Sequence, residues 1–291
     1  MPRKRTPLLV STLGLFALLV PAACDKRDDR KDWQKHFDAG VAALEEGNRA
    51  DAEAHFERAV SIARRFPSPN DWDICLQDAL DRSLNYLAIT YGARGKHEEM
   101  IDTYEQLLDL RKQVLTDAEG RWGKDNIDTA YPLERVAEVY EDLERFAEAE
   151  RLYRRALAIT EREYGVEHPA ALQVSLQGLT RTCRAQGNYM EAEKACTRWL
   201  ALRKKEYGAT APETLYVLSQ LVGIYLDNNS PAKAERAVDK LVNSHRVQGD
   251  ALIIRVLNDI ALSYAKQGQQ TEAEALRQRI ETMLDRPSDS K

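Results

Sequence analysis

The chain has 291 residues, of which 43% are apolar, 31% charged and only 7% aromatic, with 14 Gly and 10 Pro. That profile is the one expected of a helix-rich soluble protein and argues against a sheet protein or a disordered one. The formal net charge is −5 and there is no basic surplus, which argues against binding nucleic acid through its phosphates.

MPRKRTP opens the chain with Arg3, Lys4 and Arg5 and no acid. LLVSTLGLFALLV follows, an apolar run of 13 residues, and then PAAC. The run is short for a membrane span, and the layout is that of a secretory signal over residues 1–23. The small-small-Cys ending resembles the lipobox of bacterial lipoproteins, with Pro21 where that family prefers Leu. The resemblance implies cleavage before Cys24, lipidation of Cys24 and a membrane anchor through the N-terminal lipid. Cleavage after Ala22 or Ala23 with a secreted product, and a retained anchor, are the alternatives. All three place the body outside the cytoplasm, in the bacterial cell envelope facing the periplasm or the exterior in the lipidated case. The charged run DKRDDRKD reads as a solvated tether, completing a segment 24–32.

From residue 33 to 284 the chain repeats itself. A small residue is followed four later by a large one and three later by a small or apolar one. The copies are Ala52/Phe56/Ala59, Met100/Tyr104/Leu107 and Ala149/Tyr153/Ala156, then Ala192/Cys196/Trp199, Ala234/Val238/Leu241 and Ala273/Arg277/Ile280. Successive spacings are 48, 49, 43, 42 and 39. Thirteen residues upstream of each stands a partner pattern, clearest in Leu87-Ala88-Tyr91, Val136-Ala137-Tyr140 and Ile260-Ala261-Tyr264. Spacings of three and four place each set on one face of a helix. Turn sequences rich in Gly or Asn separate the halves, among them EEGNR, AQGNY and KQGQQ. Small residues let two antiparallel helices approach, and large ones fill the gap to the next pair. One such hairpin cannot bury its apolar face alone, so hairpins stack.

These motifs resemble the tetratricopeptide repeat family, with its W-x2-L-G-x2-Y…A-x3-F…P pattern. RVAEVYEDLERFAEAERLYRRALAI, the third copy, is a close match. The resemblance implies an all-α, right-handed superhelical solenoid of about six antiparallel helix-turn-helix repeats, ending in a disordered tail, 285–291. The period exceeds the family's usual length. YGVEHPAAL, 164–172, recurs as YGATAPETL, 207–215, and as WGKDNIDTA, 122–130. The second helix is predicted to run on to Gly165, where glycine ends it, and Pro169 to open the next helix. Long repeats with this linker resemble the kinesin light chain subclass.

Glu167-His168-Pro169 invites a catalytic reading. His168, however, is replaced by Ala211 in the next copy while its frame persists, so it reads as a linker residue at the N-cap. His36, His55, His97 and His245 form no HExxH or HxH cluster, and the chain has no Walker, GxGxxG or GxSxG loop. No catalytic residue, metal site or cofactor is expected. Cys183 and Cys196 take inward positions of the fourth repeat, which leaves open a disulfide across the hairpin or two buried thiols beside Trp199.

Binding is the expected activity. The family's groove positions, projected here, include Arg82, Asn85, Tyr131, Gln177, Arg181, Arg184, Tyr216 and Asn258. Phe37, Val41 and Leu44 fall on the same face of the first repeat, apolar where water is expected. Asn85 and Asn258 suit a peptide backbone, and Arg181 with Arg184 suits an acidic or C-terminal peptide. The resemblance implies an envelope-anchored scaffold for a protein or peptide that assists assembly of an envelope complex. The alternatives are a homo-oligomeric structural lipoprotein and a non-catalytic subunit of an envelope enzyme.

Overall fold

The small-large-small sets Ala52/Phe56/Ala59, Ala149/Tyr153/Ala156 and Ala192/Cys196/Trp199 lie wholly on the buried faces of their helices, whereas Arg277 of the last set is exposed. A computed structural model describes residues 27–65, 74–245 and 251–284, which form twelve α-helices and, among the described residues, no strand. Residues 1–26, with the leader and Cys24, and the tail 285–291 lie outside the described residues. The chain divides into two compact units, 1–117 and 118–291.

The first unit holds α1 (Arg27–Glu45), α2 (Arg49–Ala63), α3 (Ile74–Ala93) and most of α4 (His97–Trp122). The run expected as a tether is helical from Arg27, six residues before the predicted start of the repeats. Acidic residues such as Asp29 in its first turns suit the positive end of the helix dipole. The core is aromatic. Phe37 stacks on Trp33 at 5.3 Å and meets Phe56 and Tyr86 edge-on at 5.7 and 5.2 Å. Gly40 permits this, since a Cβ there would lie 2.7 Å from the Phe56 ring. Trp33 Nε1 donates to Ser83 Oγ at 2.9 Å, so its one polar atom is satisfied within the core. Between α3 and α4 the buried Arg111 donates to Asp81 at 2.6 Å.

The second unit continues with α5 (Ala130–Asp142), α6 (Phe146–Tyr164), α7 (Pro169–Ala185) and α8 (Tyr189–Tyr207). Then come α9 (Pro212–Asp227), α10 (Pro231–His245), α11 (Ala251–Lys266) and α12 (Gln270–Leu284). Consecutive helices pack as hairpins, and α5 touches α7 as α9 touches α11. Tyr153, fully buried, fills the space left by Gly178 of the next repeat.

In four repeats a carboxylate next to the small residue of the second helix ties the repeat to its successor; the second repeat carries Ile101 there. Glu150 accepts from Gln186, Glu193 from Tyr225 and Lys233, and Glu235 from Tyr264. Glu53 does the same in the first unit, accepting from Arg94 and Lys96. Burial, then the bonded carboxylate, pushes the Tyr225 and Tyr264 phenols well above their usual range, so both remain donors.

The linkers explain the long period. α6 ends at Gly165, with φ +84° and ψ 164°, a backbone open essentially to glycine alone. Pro169 is the first residue of α7, and His168 is its N-cap, Nδ1 accepting from Ala171 N–H at 3.2 Å. Asn126 caps the preceding linker, accepting from Asp128 N–H at 2.9 Å. Arginines of the next hairpin hold the linker carbonyls. Arg155 donates to Lys124 O and pairs with Glu119, while Arg198 donates to Val166 O at 2.7 Å and pairs with Glu161.

Candidate protein-binding groove

In the second unit the first helices of the hairpins expose Tyr131, Gln177, Tyr216 and Asn258 to different degrees. Tyr131 is 67% exposed and Tyr216 48%, whereas Gln177 is half-buried and Asn258 exposed. Tyr216 rests edge-on against the buried Trp199 at 6.1 Å, so its ring direction is fixed from below. Asn258 donates to Ile254 O at 3.1 Å, a bond within its own helix.

Arg181 and Arg184 are not free cations. Arg181 forks onto both carboxylate oxygens of Glu141, which also accepts from Tyr153 Oη at 3.2 Å. Burial, which opposes the charge, is outweighed by the Glu141 hydrogen bonds and charge, so the Arg181 guanidinium is held more firmly protonated than usual. Arg184 donates to Asp227 at 2.6 Å and lies over Gly223, where a Cβ would come within 2.9 Å of its guanidinium. These pairs bridge α5 to α7 and α7 to α9 (compare the bidentate fork of strong arginine–carboxylate pairs). An acidic ligand at these arginines would have to compete with carboxylates already in place.

Glu134, three residues after Tyr131 on α5 and equivalent in the repeat frame to Gln177 and Asn258, is buried, at 8% exposure. Its Oε1 accepts from Ser175 Oγ on α7. Burial pushes its carboxyl up to about 7, opposed by the Ser175 hydrogen bond and reinforced by the charge of Glu138.

The first unit behaves differently. Arg82 lies 4.4 Å over the Phe37 ring and pairs with Asp78 at 3.8 Å, and Asn85 is half-buried beside it in the sequence of α3. Phe37 is 2% exposed, so the expectation of a wet apolar patch there is corrected: Phe37 belongs to the aromatic core, and Val41 and Leu44 are half-buried. His36 and His55 face each other, Nδ1 to Nδ1 at 3.2 Å, although they stand nineteen residues apart. Burial and then the His55 charge hold the His36 imidazole below its usual range. Two imidazoles alone do not make a metal site. Among the described residues no group of three His, Cys, Asp or Glu is placed to hold one.

Cys183 and Cys196 are both buried free thiols, so the bridge is not formed. Burial pushes the two thiols up to about 11 and about 12. Cys196 Sγ donates to Val217 O at 3.6 Å, and the pair fills core space where other repeats carry aromatic rings.

Two tetratricopeptide repeat models match the sequence, one over residues 133–170 and the other over 83–118 and 175–206. No curated protein matches it. Among solved structures it is similar to the TPR-like repeats of a candidate kinesin light chain from Podosopora anserina. That match has 20% identity and a TM-score of 0.56, covering 72% of this chain and 97% of the other. BtubC (BKLC) from P. vanneervenii matches with 16% identity and a TM-score of 0.54, over 82% and 94% of the two chains. Aspartyl phosphate phosphatase F from Bacillus subtilis matches with 14% identity and a TM-score of 0.52, over 89% and 71%. At such identities the likeness is one of fold. The hairpins, their spacing and these matches agree: the chain carries tetratricopeptide repeats, in an all-α fold similar to that of kinesin light chain-like repeat proteins.

Proposed function

We propose that this protein is an envelope-anchored scaffold that binds a protein or peptide segment on the exposed face of its first helices. The observation that carries the reading is the exposure of two large aromatic side chains, Tyr131 and Tyr216, on the first helices α5 and α9. The nearby charges are paired internally through Arg181–Glu141 and Arg184–Asp227. Recognition therefore leans on aromatic stacking and on amide hydrogen bonds from Gln177 and its neighbours, more than on anion capture. The anchoring part rests on the leader and Cys24, and the assembly role on the placement that follows from them.

The test is site-specific photo-crosslinking in cells. A photoreactive residue at position 131, 177 or 216 should trap the same discrete partner, while one at Arg151 or Lys194, on second helices, should trap none. Equal trapping at all five positions, or none at the first three, refutes the groove. Loss of membrane attachment on Cys24→Ser tests the anchor separately.

A further inference from the structure

The gaps between successive second helices differ in charge. Between α6 and α8 the facing side chains are complementary. Arg154 bridges Glu150 at 2.8 Å and Glu191 at 3.2 Å, and Glu161 pairs with Arg198. Lys194 completes the set with Glu191 at 2.6 Å. This gap is closed by its own ion pairs.

One repeat later the same positions read otherwise. Thr197 stands where Arg154 was, Lys204 where Glu161 was, Lys233 where Glu191 was and Arg236 where Lys194 was. The bridging arginine is gone, and cations face each other across the gap. A cavity of about 380 Å³ opens there, within the usual range of small-molecule sites. Its apolar lining is Leu200, Leu218, Leu221 and Ala237, together with the Tyr225 ring. Glu193, the only acid in the lining, is taken by Tyr225 at 2.9 Å and by Lys233 at 3.2 Å. Among the described residues no carboxylate pairs with Lys204 or Arg236.

We propose that this cavity binds a small amphipathic carboxylate. The acid group answers the unpaired charge of Arg236 and Lys204, and the apolar body lies on the leucines between α8 and α10. Charge complementarity fixes the sign of the ligand and the lining fixes its character. A bare inorganic anion would forgo contact with the apolar walls, and an uncharged apolar molecule would forgo the charge-assisted contact with the exposed Lys204 and Arg236. The site lies between the second helices α8 and α10, with Leu218, Leu221 and Tyr225 contributed by α9, and it uses none of the side chains of the proposed groove.

Calorimetric titration of the full chain with octanoate, octanol and inorganic phosphate tests this. Octanoate should bind saturably, with octanol and phosphate each weaker by about tenfold or more, as expected for loss of a charge-assisted contact or of the apolar body. Thr197→Arg with Lys233→Glu copies the closed gap and should abolish octanoate binding while the helical circular dichroism is retained. Lys204→Gln with Arg236→Gln keeps the cavity and should erase the preference for octanoate over octanol, which carries the test if the first pair fails to fold. No saturable octanoate binding, octanol binding as tight as octanoate, or unchanged binding in either folded variant overturns the proposal.

Discussion

Glu134→Gln should stabilise the protein, and by an amount that depends on pH. The carboxyl is buried on α5, accepts from Ser175 Oγ, and has its pKa raised from 4.5 to about 7, chiefly by burial. A folded-state pKa above the unfolded one means that the native chain keeps a proton the unfolded chain releases. The stability contribution is therefore fully present below about pH 4.5 and is lost as pH rises through about 7. Two and a half decades of affinity for the proton correspond to about 3 kcal/mol, an upper figure because the site can relax or admit water. Glutamine keeps an acceptor for Ser175 and never charges. The equivalent positions in the other repeats are Phe37, Asn85, Gln177, Ser219 and Asn258, all neutral, so the frame accommodates an uncharged side chain. Thermal melts followed by circular dichroism, wild type against variant across pH 4.5 to 8, give the difference curve. It should be near zero at the acidic end and reach about 1–3 kcal/mol in favour of glutamine at the basic end. Ser175→Ala removes the bond that favours the charged form and should steepen the pH dependence of the Glu134 protein. A difference curve flat in pH, or one that favours glutamate at pH 8, refutes the reasoning.

Gly178→Ala puts a methyl 2.3 Å from the Tyr153 ring, which is fully buried and bonded to Glu141. The gain in helix propensity of about 1 kcal/mol is then outweighed by overpacking, for a net loss of about 1–3 kcal/mol in denaturant unfolding; a more stable variant would show that the ring yields freely. His168→Ala removes the side-chain cap of α7 and should cost about 0.5–2 kcal/mol, whereas His168→Asn should restore it, as Asn126 caps the preceding linker. Equal melting temperatures for the two variants would mean that the cap contributes nothing.

The hairpins were legible because they rest on local spacing. Ala149, Tyr153 and Ala156 lie on one face of α6 by the geometry of a helix alone, and Gly165 and Pro169 mark a stop and a start by backbone chemistry alone. What the sequence withheld depends on stacking between repeats. Glu141 and Arg181 are forty residues apart, and their meeting follows only once α5 and α7 are in register. Phe37 misled for a related reason. Its position is polar in most repeats, but here Trp33 and Tyr86 form an aromatic recess that draws it inward. The early start of α1 was hidden by its charge, since a charged run suits a solvated helix face as well as a tether. His36 and His55 meet across one hairpin, a pairing that motif searches along the chain do not register.

The repeat frame also explains why the two proposed surfaces differ in kind. Along the first helices a cation of one repeat finds a carboxylate of its neighbour, Arg181 with Glu141 and Arg184 with Asp227. The charges there close on themselves and leave aromatic and amide groups facing outward. Between α8 and α10 the same frame carries side chains that break the complement, because Thr197 cannot bridge and Lys233 replaces an acid. The exchange is at the level of single side chains and leaves the helices where they were. A surface whose ion pairs are internal binds through contacts that salt hardly screens, while one with uncompensated cations binds through charge and weakens as salt rises. A stacked array can hold both because each repeat contacts only its neighbours, so a local change of charge is felt one gap away and no further.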